Sequence, residues 1–178
     1  MKYNNVYFDA IVATPGCGKS YLCDKYPNLF VDVDEVRLKC KYIVPENVTR
    51  QELEATKGER PYPRRAKHDE YVANMYLELD QCVAQGKILI AAPHPEAIDY
   101  LTKNNLRFCF VYPNKTMKAE IKTRLSQRGN PASTVKEFDD LFYTYFESNS
   151  KENKSALHYQ FGKGEYLEDI IKKFGLQF

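Results

Sequence analysis

The chain has 178 residues, of which 43% are apolar and 28% charged, and its formal net charge is +2. That length suits one domain that buries most of a single core, and the composition excludes a disordered chain. A near-neutral balance argues against a protein that coats nucleic acid, and no apolar run approaches the roughly 20 residues of a membrane span.

In chain order, the N-terminal stretch passes straight into a strand pattern, "VYFDAIVA", with no secretory apolar region ahead of it. Three more apolar runs, "LFVDV", "KILIAA" and "RFCFVY", have the continuous character of strands covered on both faces, and "ALHYQF" is a weaker fifth. Helical patterns fall between them. A short helix runs from Lys19 to Tyr26 and stops at Pro27. A longer one, about 64–85, puts Val72, Met75, Tyr76, Leu79 and Val83 on one face ahead of Gly86. "PEAIDYLTKNN" starts with a proline. In "NKTMKAEIKTRLSQRG", Met117, Ile121 and Leu125 recur every four residues between a capping Asn114 and Gly129. "STVKEFDDLFYTYFE" carries a stripe of Phe138, Leu141, Phe142, Tyr145 and Phe146, and "GEYLEDIIKKF" closes the chain. Strands alternating with helices predict an α/β fold with a central, mostly parallel five-stranded sheet and helices on both faces. Residues 44–63 lack periodicity and read as an insertion, either a lid or an acceptor-binding segment.

Five cysteines, Cys17, Cys23, Cys40, Cys82 and Cys109, show no metal or redox spacing. They are expected as reduced thiols in a cytoplasmic protein, with Cys109 a small core residue.

Between the first strand and the first helix lies "ATPGCGKS", Ala13 to Ser20. It matches the phosphate-loop pattern G-x-x-x-x-G-K-[ST] except for alanine at the first position, where one extra methyl group leaves the cradle intact. Gly16 and Gly18 let the chain curl so that backbone N–H groups face phosphate oxygens. Lys19 offers a positive charge to the β/γ-phosphates, and Ser20 offers a hydroxyl to Mg²⁺. Pro15, Cys17 and Tyr21 complete the expected nucleotide-binding stretch.

The second strand runs into "VDVDEVR". Ligands of open α/β sheets bind at the carboxyl ends of strands, which brings Asp32, Asp34 and Arg37 to the same edge as the phosphate loop. A carboxylate there holds Mg²⁺ or accepts a proton, and Arg37 clamps a phosphate. Helix capping by one of the acids is the plainer alternative. "ATPGCGKS … VDVDEVR" resembles the P-loop kinases of small molecules and nucleic-acid ends: nucleoside monophosphate kinases, adenylylsulfate kinase and polynucleotide 5′-kinases. The resemblance implies a P-loop NTPase three-layer fold, ATP and Mg²⁺ as cofactors, Asp34 as the acid and metal-linked residue, and Arg37 as the acceptor clamp.

"RLSQRG" puts Arg124 and Arg128 on one helix face. Beside a phosphate loop they are candidates to close over the transferring phosphoryl group from a lid-like segment at 124–134. The alternative is that Glu120, four residues earlier, pairs with Arg124. The layout also resembles small phage-type P-loop proteins, through "FVYP", "RLSQRG", "FDDLFYTYFE" and "GEYLEDII". The chain departs from the pattern at 44–63, which matches no known acceptor module, and in "KILIAAPHPE", where no acid ends the third strand. Mg²⁺ would then be held by Ser20 and the second strand.

Further candidates on the acceptor side are His94 and the basic group Arg60, Arg64 and Arg65, with Tyr62 placed to stack on a base. Each also reads as structure or solvated surface. The expected activity is transfer of the ATP γ-phosphate to a nucleotide, first of all a (deoxy)nucleoside monophosphate. The alternatives are a hydroxyl acceptor, including a 5′-OH nucleic-acid end, and a non-catalytic nucleotide-binding module. The expected state is a monomer or homodimer, in one domain, with no membrane partner.

Overall fold

The computed structural model describes residues 2–3, 6–33, 40–42, 64–67, 71–130, 132–142 and 156–174. In chain order the elements are β1 (Lys2–Tyr3), β2 (Val6–Tyr7), β3 (Ala10–Ala13), α1 (Lys19–Lys25), β4 (Phe30–Asp32), β5 (Cys40–Tyr42), β6 (Arg64–Lys67), α2 (Tyr71–Ala84), β7 (Ile88–Ala91), α3 (Pro95–Lys103), β8 (Phe108–Pro113), α4 (Lys118–Gln127), α5 (Ala132–Leu141), β9 (Ala156–Phe161) and α6 (Leu167–Lys173). A 3₁₀ turn at Lys115–Met117 leads into α4, and the Asn114 side chain accepts the Thr116 N–H there.

Five strands form an all-parallel sheet in the order β4-β7-β3-β8-β9. Alternation along each strand explains why they read as unbroken apolar runs. In β3, Ile11 and Ala13 pack among α1, α4, α5 and α6, whereas Ala10 and Val12 pack among α2 and α3. In β8, Cys109 and Val111 face the first group, and Phe108 and Phe110 the second. Both faces are covered, so neither calls for polar residues. Phe110 is 2% exposed, and truncating it to alanine is expected to cost about 3–5 kcal/mol. The result is a three-layer α/β fold, a parallel sheet between two layers of helices.

Two predicted elements differ in the structure. The run from Val6 to Ala13 is not one strand: β2 turns back antiparallel on β1, and only β3 enters the main sheet. The break falls at Asp9, whose carboxylate accepts the Arg107 N–H and whose own N–H donates to the Arg107 carbonyl. The helix expected over 64–85 begins only at Tyr71. Arg64–Lys67 is a strand paired antiparallel with Cys40–Tyr42, because "RRAK" has no apolar stripe to bury as a helix and pairing satisfies its backbone instead. On α2 the buried positions are Met75, Leu79 and Cys82, while Val83 is exposed. The predicted Met117, Ile121 and Leu125 stripe of α4 is buried in full.

The chain leaves β3 for β4, passing over the position that β7 later fills, and reaches β8 on the other side. The carboxyl end of β3 is therefore the topological switch point, where such sheets bind ligands. The segment 44–63 lies outside the described residues, as do Tyr145 and Phe146.

Candidate functional site

The phosphate loop leaves β3 at that switch point. Ala13 is fully buried in the core, which explains how a methyl group is accommodated there. Gly16 and Gly18 have φ of 79° and 96°, in the left-handed region that side chains disfavour. Space is tight only at Gly16: a Cβ there would stand 3.1 Å from Ile121 Cγ2 and press on it, whereas one on Gly18 would stand 3.4 Å from Tyr166 Cδ1, an ordinary contact.

The polar groups of the loop bond to one another. Lys19 Nζ donates to the carbonyls of Ala13 and Thr14 at 3.0 and 3.2 Å. Ser20 Oγ donates to Asp32 Oδ2 at 3.3 Å and accepts from Arg128 Nη2 at 3.0 Å. A hydroxyl at the start of α1 and a carboxylate at the end of β4 are thus adjacent. These are hard oxygen donors of the kind Mg²⁺ takes while keeping waters and substrate phosphate oxygens as its remaining ligands. The fit is to a shared ion: among the described residues no group of three or more His, Cys, Asp and Glu side chains converges to hold a metal.

The two arginines of α4 differ in setting. Arg128 ends the helix, exposed, with Ser20 as its partner. Arg124 is only 9% exposed at its side chain. Its Nη2 donates to Glu120 Oε1 at 2.5 Å, and its Nη1 donates to the carbonyls of Gly16 at 3.3 Å and Glu165 at 3.0 Å. Its guanidinium lies 3.9 Å from the centre of the Tyr166 ring. The pairing with Glu120 is present, and Arg124 also ties the phosphate loop to the β9–α6 turn. Glu120 lies below the usual carboxylate range: burial pushes it up, but bonds from Arg124 and the Gly164 N–H outweigh that.

That turn is the part of the site not anticipated from sequence. The Leu167 N–H donates to the Cys17 carbonyl at 2.8 Å, and the Tyr166 ring covers Gly18. Lys173 binds the Glu165 carboxylate and lowers its pKa, and the Gly162 N–H adds to this. Only "GEY" ahead of the last helix hinted at a tight turn, and nothing local indicated that it docks on a loop some 150 residues earlier. Thr14 was missed too, a buried hydroxyl next to Pro15 and the loop glycines.

His94 precedes α3, just beyond the end of β7, as its N-cap residue. Arg64 and Arg65 lie on β6 in the antiparallel ribbon with β5. Asp34, Arg37, Arg60 and Tyr62 lie outside the described residues. Cys17, Cys23, Cys82 and Cys109 are free thiols, and burial pushes Cys23 and Cys109 up to about 12. Burial raises Cys17 as well, which makes a nucleophilic role in the loop unfavourable.

No protein-family model matches the chain, and no curated protein matches it in sequence. Among the described residues no helix is long and apolar enough to cross a membrane. Among solved structures the chain is similar to the tunicamycin resistance protein of Deinococcus radiodurans, with 13% identity and a TM-score of 0.52 over 95% of this chain and 94% of that one. This is a likeness of fold. Weaker likenesses, with TM-scores of 0.46, are to a gluconokinase from Sinorhizobium meliloti 1021 (13% identity, 93% of this chain and 87% of that one) and to an uncharacterized protein from Eubacterium ventriosum ATCC 27560 (16% identity, 93% and 95%).

Proposed function

We propose that the chain is a P-loop phosphotransferase that moves the γ-phosphate of ATP to a nucleotide acceptor, first of all a (deoxy)nucleoside monophosphate. The observation that supports this most directly is the cluster at the carboxyl end of β3: left-handed Gly16 and Gly18, Lys19, and the Asp32–Ser20–Arg128 chain. Backbone N–H groups of the loop bind the phosphates, and Lys19 leaves the Ala13 and Thr14 carbonyls to meet them. Ser20 and Asp32 would hold Mg²⁺, which supplies charge neutralisation at the transferred group. Arg128 swings from Ser20 onto the phosphoryl oxygens, where charge accumulates during transfer. Arg124 holds the Gly16 carbonyl in place and is a positioning residue in this account.

On the acceptor side, Asp32, Arg37, Arg60, Arg64, Arg65 and His94 are the candidates from sequence, with Asp34 the catalytic and metal-linked acid, 44–63 the acceptor-binding segment and 124–134 the lid. Asp32 and Asp34 share the role of orienting metal or acceptor. If the acceptor is a hydroxyl, one of them takes its proton.

The test is incubation of the protein with labelled ATP and Mg²⁺ against nucleoside monophosphates, nucleosides and a 5′-OH oligonucleotide. Label in a nucleoside diphosphate is the expected result. Label only on a nucleoside or oligonucleotide would replace the acceptor class, and intact ATP binding with no labelled product would leave a non-catalytic nucleotide-binding module.

A further inference from the structure

Thr14 is 1% exposed, and its Oγ1 is buried with no hydrogen-bond partner. Native interiors rarely leave a hydroxyl in that state, because it has given up water and gained nothing. The position makes the vacancy informative. The Thr14 N–H donates to the Val111 carbonyl at 3.2 Å and so extends the β3–β8 ladder by one residue past Ala13. Strand alternation then puts Thr14 on the side of Ala10 and Val12, above the core of α2 and α3. On that side Ala91, at the end of β7, and Val33, just past the end of β4, lie to the left of β3. To its right lie Tyr112 and the edge-strand His158, whose rings stand 6.1 Å apart. The nucleotide-gripping parts, Gly16, Gly18, Arg124 and Tyr166, lie on the other side, among α1, α4 and α6.

We propose that the Thr14 hydroxyl is a specificity-determining contact for the acceptor: it hydrogen-bonds a neutral polar group of that molecule, a sugar hydroxyl or a base edge. The inference rests on the kinase reading above and deepens it. An uncharged hydroxyl on the side of the sheet that carries Val12 and Val33 suits a neutral group and gives a phosphate no compensation for its charge. Lys19 bonds to the Thr14 carbonyl, so a nucleotide phosphate that draws the ammonium away frees that carbonyl, and on this reading the end of the strand can then shift to meet the acceptor.

The test is steady-state transfer by the wild type, Thr14→Val and Thr14→Ser, with the best acceptor from the panel of nucleoside monophosphates, nucleosides and 5′-OH oligonucleotide. Thr14→Val keeps the shape and removes the hydroxyl. It is expected to raise the acceptor KM about tenfold or more, to leave the ATP KM unchanged, and to melt no lower than the wild type. Thr14→Ser, which keeps the hydroxyl, is expected to retain the wild-type acceptor KM. An unchanged acceptor KM in Thr14→Val overturns the inference while the kinase reading stands. So does an equal rise in both KM values, which would mark a change of loop shape. Absence of transfer by the wild type overturns both.

Discussion

The two sides of β3 are built differently. On the α1, α4 and α6 side, the phosphate loop is held by backbone: two left-handed glycines, the Leu167 N–H on Cys17, and Arg124 on the Gly16 and Glu165 carbonyls. On the α2 and α3 side, the same sheet carries Thr14, Tyr112 and His158, with the loop before His94 following β7. Main-chain groups suit a ligand that all enzymes of a kind share, because phosphate recognition needs only N–H groups in a fixed curl. Side chains from separate segments suit a ligand that differs from one protein to the next. On the proposed function, the first side would be the general half, gripping the nucleotide, and the second the half specific to the acceptor.

Five substitutions test that contrast, from the largest expected effect to the smallest. Asp32→Asn is expected to lower transfer about 10³-fold, measured as kcat, while ATP still binds by calorimetry. A parallel loss of binding would make Asp32 a structural partner of Ser20 instead. Next comes the arginine pair. Arg128→Ala should lower kcat about 10²-fold with an unchanged melting temperature, because its side chain is exposed. Arg124→Ala should instead cost about 2 kcal/mol of stability in denaturant titration and weaken ATP binding, because it removes bonds to two carbonyls. If the two variants behave alike, the distinction between clamp and brace fails.

Gly16→Ala is smaller again. A left-handed alanine costs about 1–2 kcal/mol, and its Cβ presses on Ile121. Thermal melts should show the loss, and the ATP KM should rise. The smallest effect belongs to Glu168, which ties α6 to the end of α1 through Lys25 and Tyr26 and pairs with Lys172 on its own helix. The bond from Lys25, with those from Lys172 and Tyr26, holds its pKa at about 2. That is below the roughly 4.3 of a free glutamate, so its stabilisation is complete above about pH 4.3 and lost as the pH falls toward 2. Glu168→Gln should therefore flatten the acid limb of a stability–pH curve in that window, with no change at neutral pH relative to its own plateau.

The same contrast explains what could be read from the sequence. "ATPGCGKS" was legible because glycine spacing, a lysine and a serine meet one local geometric demand, and the apolar runs were legible because strands covered on both faces need no polar alternation. Arg124 was legible as important but not in its setting: Glu120 is four residues away in the chain, whereas Tyr166 and the Glu165 carbonyl reach it only through the fold. Thr14 carried no signal, since a threonine at a variable loop position becomes informative only once its burial and lack of a partner are seen. Arg64 and Arg65 were misread as the start of a helix because the partner strand, Cys40–Tyr42, lies across an insertion with no periodicity of its own.

The central claim is that Ala13–Ser20 is a working nucleotide site despite its first alanine. Calorimetric titration of the wild type and Lys19→Ala with ATP in the presence of Mg²⁺ tests it most directly. The account predicts saturable binding by the wild type in the range of about 1 μM to 1 mM, typical of enzyme substrates, and its loss in Lys19→Ala. Binding that is absent from the wild type, or unchanged when Lys19 is removed, would contradict it.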